Sequence, residues 1–177
     1  EAETAPPARP ETPPRSSKIP DLGDKAVLEF NAGALSNQTT GDASILAAPD
    51  WLSEPGQPLL LASTTSAKGF AVIHTAHIRI EPRRQYRVQA LLKLLGSAPD
   101  SSVSLWVREY ADPNRRPITP YPRTGVKDRS VQAHQRNIWT IRSLTFRTRP
   151  EARYLTISIN TAGAPTELLV KSVRIVD

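Results

Sequence analysis

A chain of 177 residues with 38% hydrophobic content is long enough to bury one sizeable core, and one domain is the expected organisation. It has no cysteine, which excludes disulfides, thiolate metal ligands and thiol nucleophiles; no run of about 18 apolar residues exists, which excludes a membrane-spanning helix. The net charge is +6, and the first 25 residues are net −1, so the remainder carries +7 and either favours anionic partners (acidic polysaccharide, nucleic acid, a membrane surface) or serves solubility alone.

Residues 1–20 (EAETAPPARPETPPRSSKIP) hold six of the 17 prolines and little that is apolar beyond alanine. They read as a disordered, partly polyproline-like linker, because such a segment buries too little apolar surface to offset its ordering entropy. The expected organisation is therefore a linker over 1–24 and a domain over 25–177. With no methionine, the chain reads as a processed product or an excised piece, and Glu1-Ala2-Glu3 as a scar or the residues after a signal cleavage site.

From about residue 25 the pattern is short strands between turn signals. Ala26–Phe30, Ala43–Leu46 and Leu59–Ser63 are the first expected strands. Phe70–Ile80 reads as one long strand with Val72, His74, Ala76, Ile78 and Ile80 on the core side and Thr75, His77 and Arg79 opposite. After the turn at Glu81–Arg84, Tyr86–Leu95 places Tyr86, Val88, Ala90, Leu92 and Leu94 inward and Arg87, Gln89 and Lys93 outward. Ser102–Tyr110, Thr140–Thr148, Tyr154–Asn160 and Leu168–Ile175 complete the set. Some nine short strands without crossover helices imply an all-β fold, an antiparallel β-sandwich or jelly roll.

Ser102–Tyr110 carries the most information. Val103, Leu105 and Val107 form an aliphatic face, while Ser104, Trp106, Arg108 and Tyr110 share the other. That second face is either a binding surface or, with Trp106 covered, more core. Residues 111–137 follow at once with four prolines, six Arg or Lys against two Asp, and no strand-like alternation. A loop of this length in a compact domain is usually functional or disordered. It contains Arg115, Arg116, Tyr121 and His134. Trp139 reads as structural and Trp51 as a hydrophobic plug. His74, His77 and His134 show no metal-site spacing. Asn37-Gln38-Thr39 is an N-glycosylation triplet, a pattern that also arises by chance.

The order of several segments resembles a known group. These are Glu81–Val88 (EPRRQYRV), Ser104–Asp112 (SLWVREYAD), Asn137–Phe146 (NIWTIRSLTF), Ala152–Ile159 (ARYLTISI) and Leu168–Ile175 (LLVKSVRI). Together, over roughly 26–177, they resemble the jelly rolls of the galactose-binding-like superfamily, in particular carbohydrate-binding modules of families 4, 9 and 22. The resemblance implies an exported, secreted or periplasmic, non-catalytic module that binds polysaccharide, serving as an accessory to an enzyme such as a glycoside hydrolase or polysaccharide lyase. Trp106 would stack on a sugar ring. Arg108, Arg79, Arg115 and Arg116 would meet acidic groups, and Tyr110, Tyr121 and His77 would add hydrogen bonds. The surplus of arginine favours an anionic glycan. Where related modules carry paired aspartates for a structural calcium, this chain has Lys171-Ser172. Glu29, Asp42 and Asp177 are scattered, so no cofactor is expected.

No nucleophile elbow, P-loop, dinucleotide or zinc-protease motif is present. The strands offer only Glu29, Glu109 and Glu167, not the convergent carboxylate pair that glycosidase chemistry needs. An aromatic content of 6% is low for a nucleic-acid reader, so the expected partner is a polysaccharide and not nucleic acid, and the domain is expected to be a monomer. The competing expectation is a structural or protein-interaction sandwich of an envelope or multidomain extracellular protein.

Overall fold

The computed structural model describes residues 26–49, 52, 58–66, 68–97, 102–118, 125–127, 137–162 and 166–176. The expected linker over 1–24 lies outside the described residues, as do Trp51, Tyr121, His134 and Asp177.

Among the described residues there are twelve strands: β1 (Ala26–Asn31), β2 (Ser36–Thr40), β3 (Ser44–Ala47), β4 (Leu60–Thr64), β5 (Phe70–His74), β6 (Ile78–Arg79), β7 (Gln85–Ser97), β8 (Ser102–Tyr110), β9 (Gly125–Lys127), β10 (Trp139–Arg147), β11 (Tyr154–Ala162) and β12 (Thr166–Val176). They form two antiparallel sheets of six. The first runs β10-β7-β12-β4-β3, with β1 also paired to β12; the second runs β2-β5-β11-β8-β9, with β6 also paired to β11. No helix among the described residues is long and apolar enough to cross a membrane.

The two sheets face each other across one core. Val88, Ala90, Leu92 and Leu94 of β7 and Leu168, Val170, Val173 and Ile175 of β12 meet Val103, Leu105 and Val107 of β8 and Leu155, Ile157 and Ile159 of β11. Period-2 alternation accounts for most of this. Where alternation changes phase, the backbone supplies the correction. In β12 the inward residues switch from even (Leu168, Val170) to odd (Val173, Ile175). A register shift between Val170 and Ser172 leaves Lys171 unpaired with β7 and keeps both halves facing the core.

A second phase change corrects the reading of Phe70–Ile80 as one strand. Ala71 and Ile73 point inward, and so do Ile78 and Ile80, although the two pairs differ in parity. Thr75 makes the switch. Its N–H donates to the Ile157 carbonyl at 2.9 Å, and its Oγ1 accepts the Ile157 N–H at 3.1 Å. A buried side chain thus takes over one rung of the ladder, and Ala76 and His77 stand out as an exposed bend. Val72 and His74 therefore lie on the outer face and not in the core.

Two strands escaped the pattern. β2 (SNQTT) is an edge strand exposed at all five positions, so it shows no apolar alternation. β9 is three residues long, inside the loop expected to be strand-free.

Candidate functional site

The outer face of the second sheet is organised in cross-strand rows. Ser36, His74, Ser158, Trp106 and Lys127 are successive partners across β2, β5, β11, β8 and β9. The neighbouring row is Gln38, Val72, Asn160 and Ser104. On the other side of Trp106, Thr156 pairs with Arg108, which pairs with Gly125. Beyond them Tyr154 stands between Arg79 and Tyr110. Directly opposed residues on one face lie about 5 Å apart at Cβ, so each row is a contiguous strip.

Trp106 is partly exposed, and its Nε1–H donates to Ser104 Oγ at 2.8 Å, which fixes the indole against the sheet. Around it lie buried polar atoms without hydrogen-bond partners: Nε of Arg108, Oγ of Ser158 and Oδ1 of Asn160. Leaving such a group unpaired costs about 1–3 kcal/mol, so three of them on adjacent rows call for an explanation. His77 is exposed and meets the buried Tyr110 edge-on, ring centroids 4.7 Å apart. Arg79, also exposed, occupies the same end.

The structure thus brings together Trp106, Arg108, Tyr110, His77 and Arg79 on one face. Arg115 and Arg116 are placed differently. They sit exposed on a turn after Tyr110, where Asp112 accepts the Asn114 N–H at 2.9 Å and the Arg115 N–H reaches the Asp112 carbonyl at 3.1 Å. No described contact joins them to Trp106. Beside that turn, Arg79, Asp112, Asn114, Arg153 and Tyr154 line a depression of about 420 Å³ at the end of the face. Arg87, Gln89 and Lys93, expected to point outward from Tyr86–Leu95, do not extend the Trp106 face, because β7 belongs to the other sheet. There Arg174 Nε donates to Gln89 Oε1 at 2.9 Å, and Lys93 pairs with Trp139. Trp139 is buried in an apolar cluster with Leu59, Leu91 and Leu169.

His74, Thr156, Ser158, Asn160 and Tyr154 were not picked out from the sequence as site residues. The strict Tyr-Leu-Thr-Ile-Ser-Ile-Asn alternation of β11 marks a polar face, but nothing in it says that β8 is its neighbour. Among the described residues the outer rows carry no carboxylate. Glu109 is buried on the inner side of β8, where its Oε1 accepts the Arg149 N–H at 2.8 Å and its Oε2 lies 3.5 Å from Arg149 Nε. Burial holds its carboxyl above the usual range despite that bond and charge. Glu29 is exposed on β1, and Asp42 accepts from Thr65 Oγ1 at 2.8 Å, an environment whose hydroxyls lower its carboxyl.

No protein-family model and no curated protein sequence matches the chain. Solved structures share its fold. The enzymatically active domain of tailspike protein 4 from bacteriophage CBA120 aligns with TM-score 0.59 at 14% identity, over 82% of this chain and 19% of that one. The CBM22-1–GH10 modules of Clostridium thermocellum xylanase 10B, complexed with xylohexaose, align at 0.56 and 17%, over 86% and 28%. The CBM22-1 xylan-binding domain of Paenibacillus barcinonensis Xyn10C aligns at 0.52 and 12%, over 86% and 94%. The chain spans under a third of the first two solved chains and most of the third. It has the jelly-roll β-sandwich fold found in carbohydrate-binding modules.

Proposed function

We propose that this domain is a non-catalytic carbohydrate-binding module of an exported protein, and that its ligand is an acidic polysaccharide held on the outer face of β5, β11, β8 and β9. The observation that carries this reading is the partly exposed Trp106, fixed by Ser104 on a face that His74, His77 and Arg79 extend. A sugar offers an apolar ring face to an indole and hydroxyls to polar side chains beside it. Arg79, Arg108, His74 and His77 incline the face toward a carboxylate-bearing chain. The same fold in two xylan-associated modules supports the class of ligand. The absence of a carboxylate from the outer rows supports binding without hydrolysis.

The test is titration of the folded domain with polygalacturonate and with xylan, followed by calorimetry. Preferential, saturable binding of the acidic polymer is expected, with at least a tenfold loss in Trp106→Ala and a melting temperature within a few degrees of wild type. Equal or absent binding of both polymers overturns the reading. A second reading, docking to another protein domain, is favoured by Leu46, 65% exposed beside the apolar outer cluster of the first sheet.

A further inference from the structure

We infer that the end of the sandwich next to β1 is a second binding site, for a small amphipathic carboxylate, which shares Arg79 with the Trp106 face. A cavity of about 620 Å³ opens where β1, β6, the start of β7 and the end of β12 meet. That size falls in the range of small-molecule sites, which are mostly apolar with a few placed polar groups. Its wall is aliphatic: Val27, Leu28, Ile78, Ile80 and Ile175. Val27 and Leu28 are 62% and 40% exposed, so large apolar side chains face solvent at its mouth.

The rim is cationic. Arg79, Arg84 and Arg153 lie there with a single carboxylate, Glu81. Glu81 is engaged by Arg84, 3.1 Å away, and that guanidinium also lies 5.5 Å from the centroid of the Tyr86 ring. The Tyr86 hydroxyl accepts the Glu81 N–H at 2.9 Å and holds this side of the rim in place. Arg153 is aimed by its own Nη1, which donates to the carbonyls of Pro150 and Ala152 at 2.8 and 2.9 Å. Arg79 has no ion pair among the described residues. Two guanidiniums that form no ion pair among the described residues, although Asp112 shares a neighbouring depression with them, thus stand beside an apolar wall. An aliphatic tail would cover Val27, Leu28 and Ile175, and its carboxylate would lie between Arg79 and Arg153. This chemistry differs from that of a sugar. A polysaccharide has no aliphatic tail for the wall, and the cavity has no indole to stack on.

Octanoate, with 1-octanol as the neutral control, provides the test on the intact chain, read by amide chemical shifts. Saturable octanoate shifts are expected at residues 27–28, 78–86, 153 and 175, with 1-octanol at least tenfold weaker. Val27→Glu, at an exposed position that only this site uses, should weaken octanoate at least tenfold and leave both the melting temperature and any polysaccharide affinity unchanged. The inference is overturned if octanoate shifts map elsewhere, if octanol binds equally well, or if Val27→Glu binds octanoate like wild type. Because polysaccharide is measured separately, failure of either site leaves the other standing.

Discussion

Glu109 sits in line with Val103, Leu105 and Val107 on the inner face of β8, where a charge is costly. The Arg149 N–H and guanidinium offset that cost only in part, so burial leaves its carboxyl above the ordinary value of 4.5. An acid with a raised folded-state value contributes most to stability below 4.5 and loses that contribution as the pH climbs through the folded value. Urea denaturation of wild type should therefore show stability falling over this window, and Glu109→Gln should remove that slope. On the outer face the balance reverses. Ser158 Oγ is buried without a partner, so Ser158→Ala should leave the melting temperature unchanged or slightly raised.

The bend between β5 and β6 governs which residues reach the site. Because Thr75 takes the place of a backbone acceptor for Ile157, parity inverts at this point and His74 moves outward, into the row of Trp106. Thr75→Val keeps the shape but orphans the Ile157 N–H, a loss of about 1–3 kcal/mol expected in chemical denaturation. This bend also marks how far the sequence could be read. Alternation identified the inward faces of β7 and β8 correctly, because each keeps its period throughout. It failed at Thr75, where a hydroxyl resets the phase without altering local composition, and nothing in it announces the extra residue at Lys171. It was silent on pairing, and so the polar set Thr156, Ser158 and Asn160 gave no sign of standing beside Trp106.

At the scale of the molecule, core and site are separable. Ile157 is fully buried between the sheets, and Ile157→Ala should cost about 2–5 kcal/mol in denaturation. Trp106→Ala should cost binding and little stability. The +7 carried beyond residue 25 gives a further expectation. If guanidiniums carry the recognition of an acidic polymer, affinity should fall steeply between about 50 and 200 mM salt, measured by calorimetry at several ionic strengths.

β12 is hydrogen-bonded by three other strands: β7 along most of its length, β4 over Thr166–Val170 and β1 over Ser172–Val176. A ribosome emits β1, β4 and β7 well before β12. Until then, β1 and β4 lack a partner that binds them into the first sheet, and one edge of β7 stays unpaired. Assembly of the first sheet thus waits for β12, and a chain that stalled short of Thr166 would present open strand edges to chaperones and proteases.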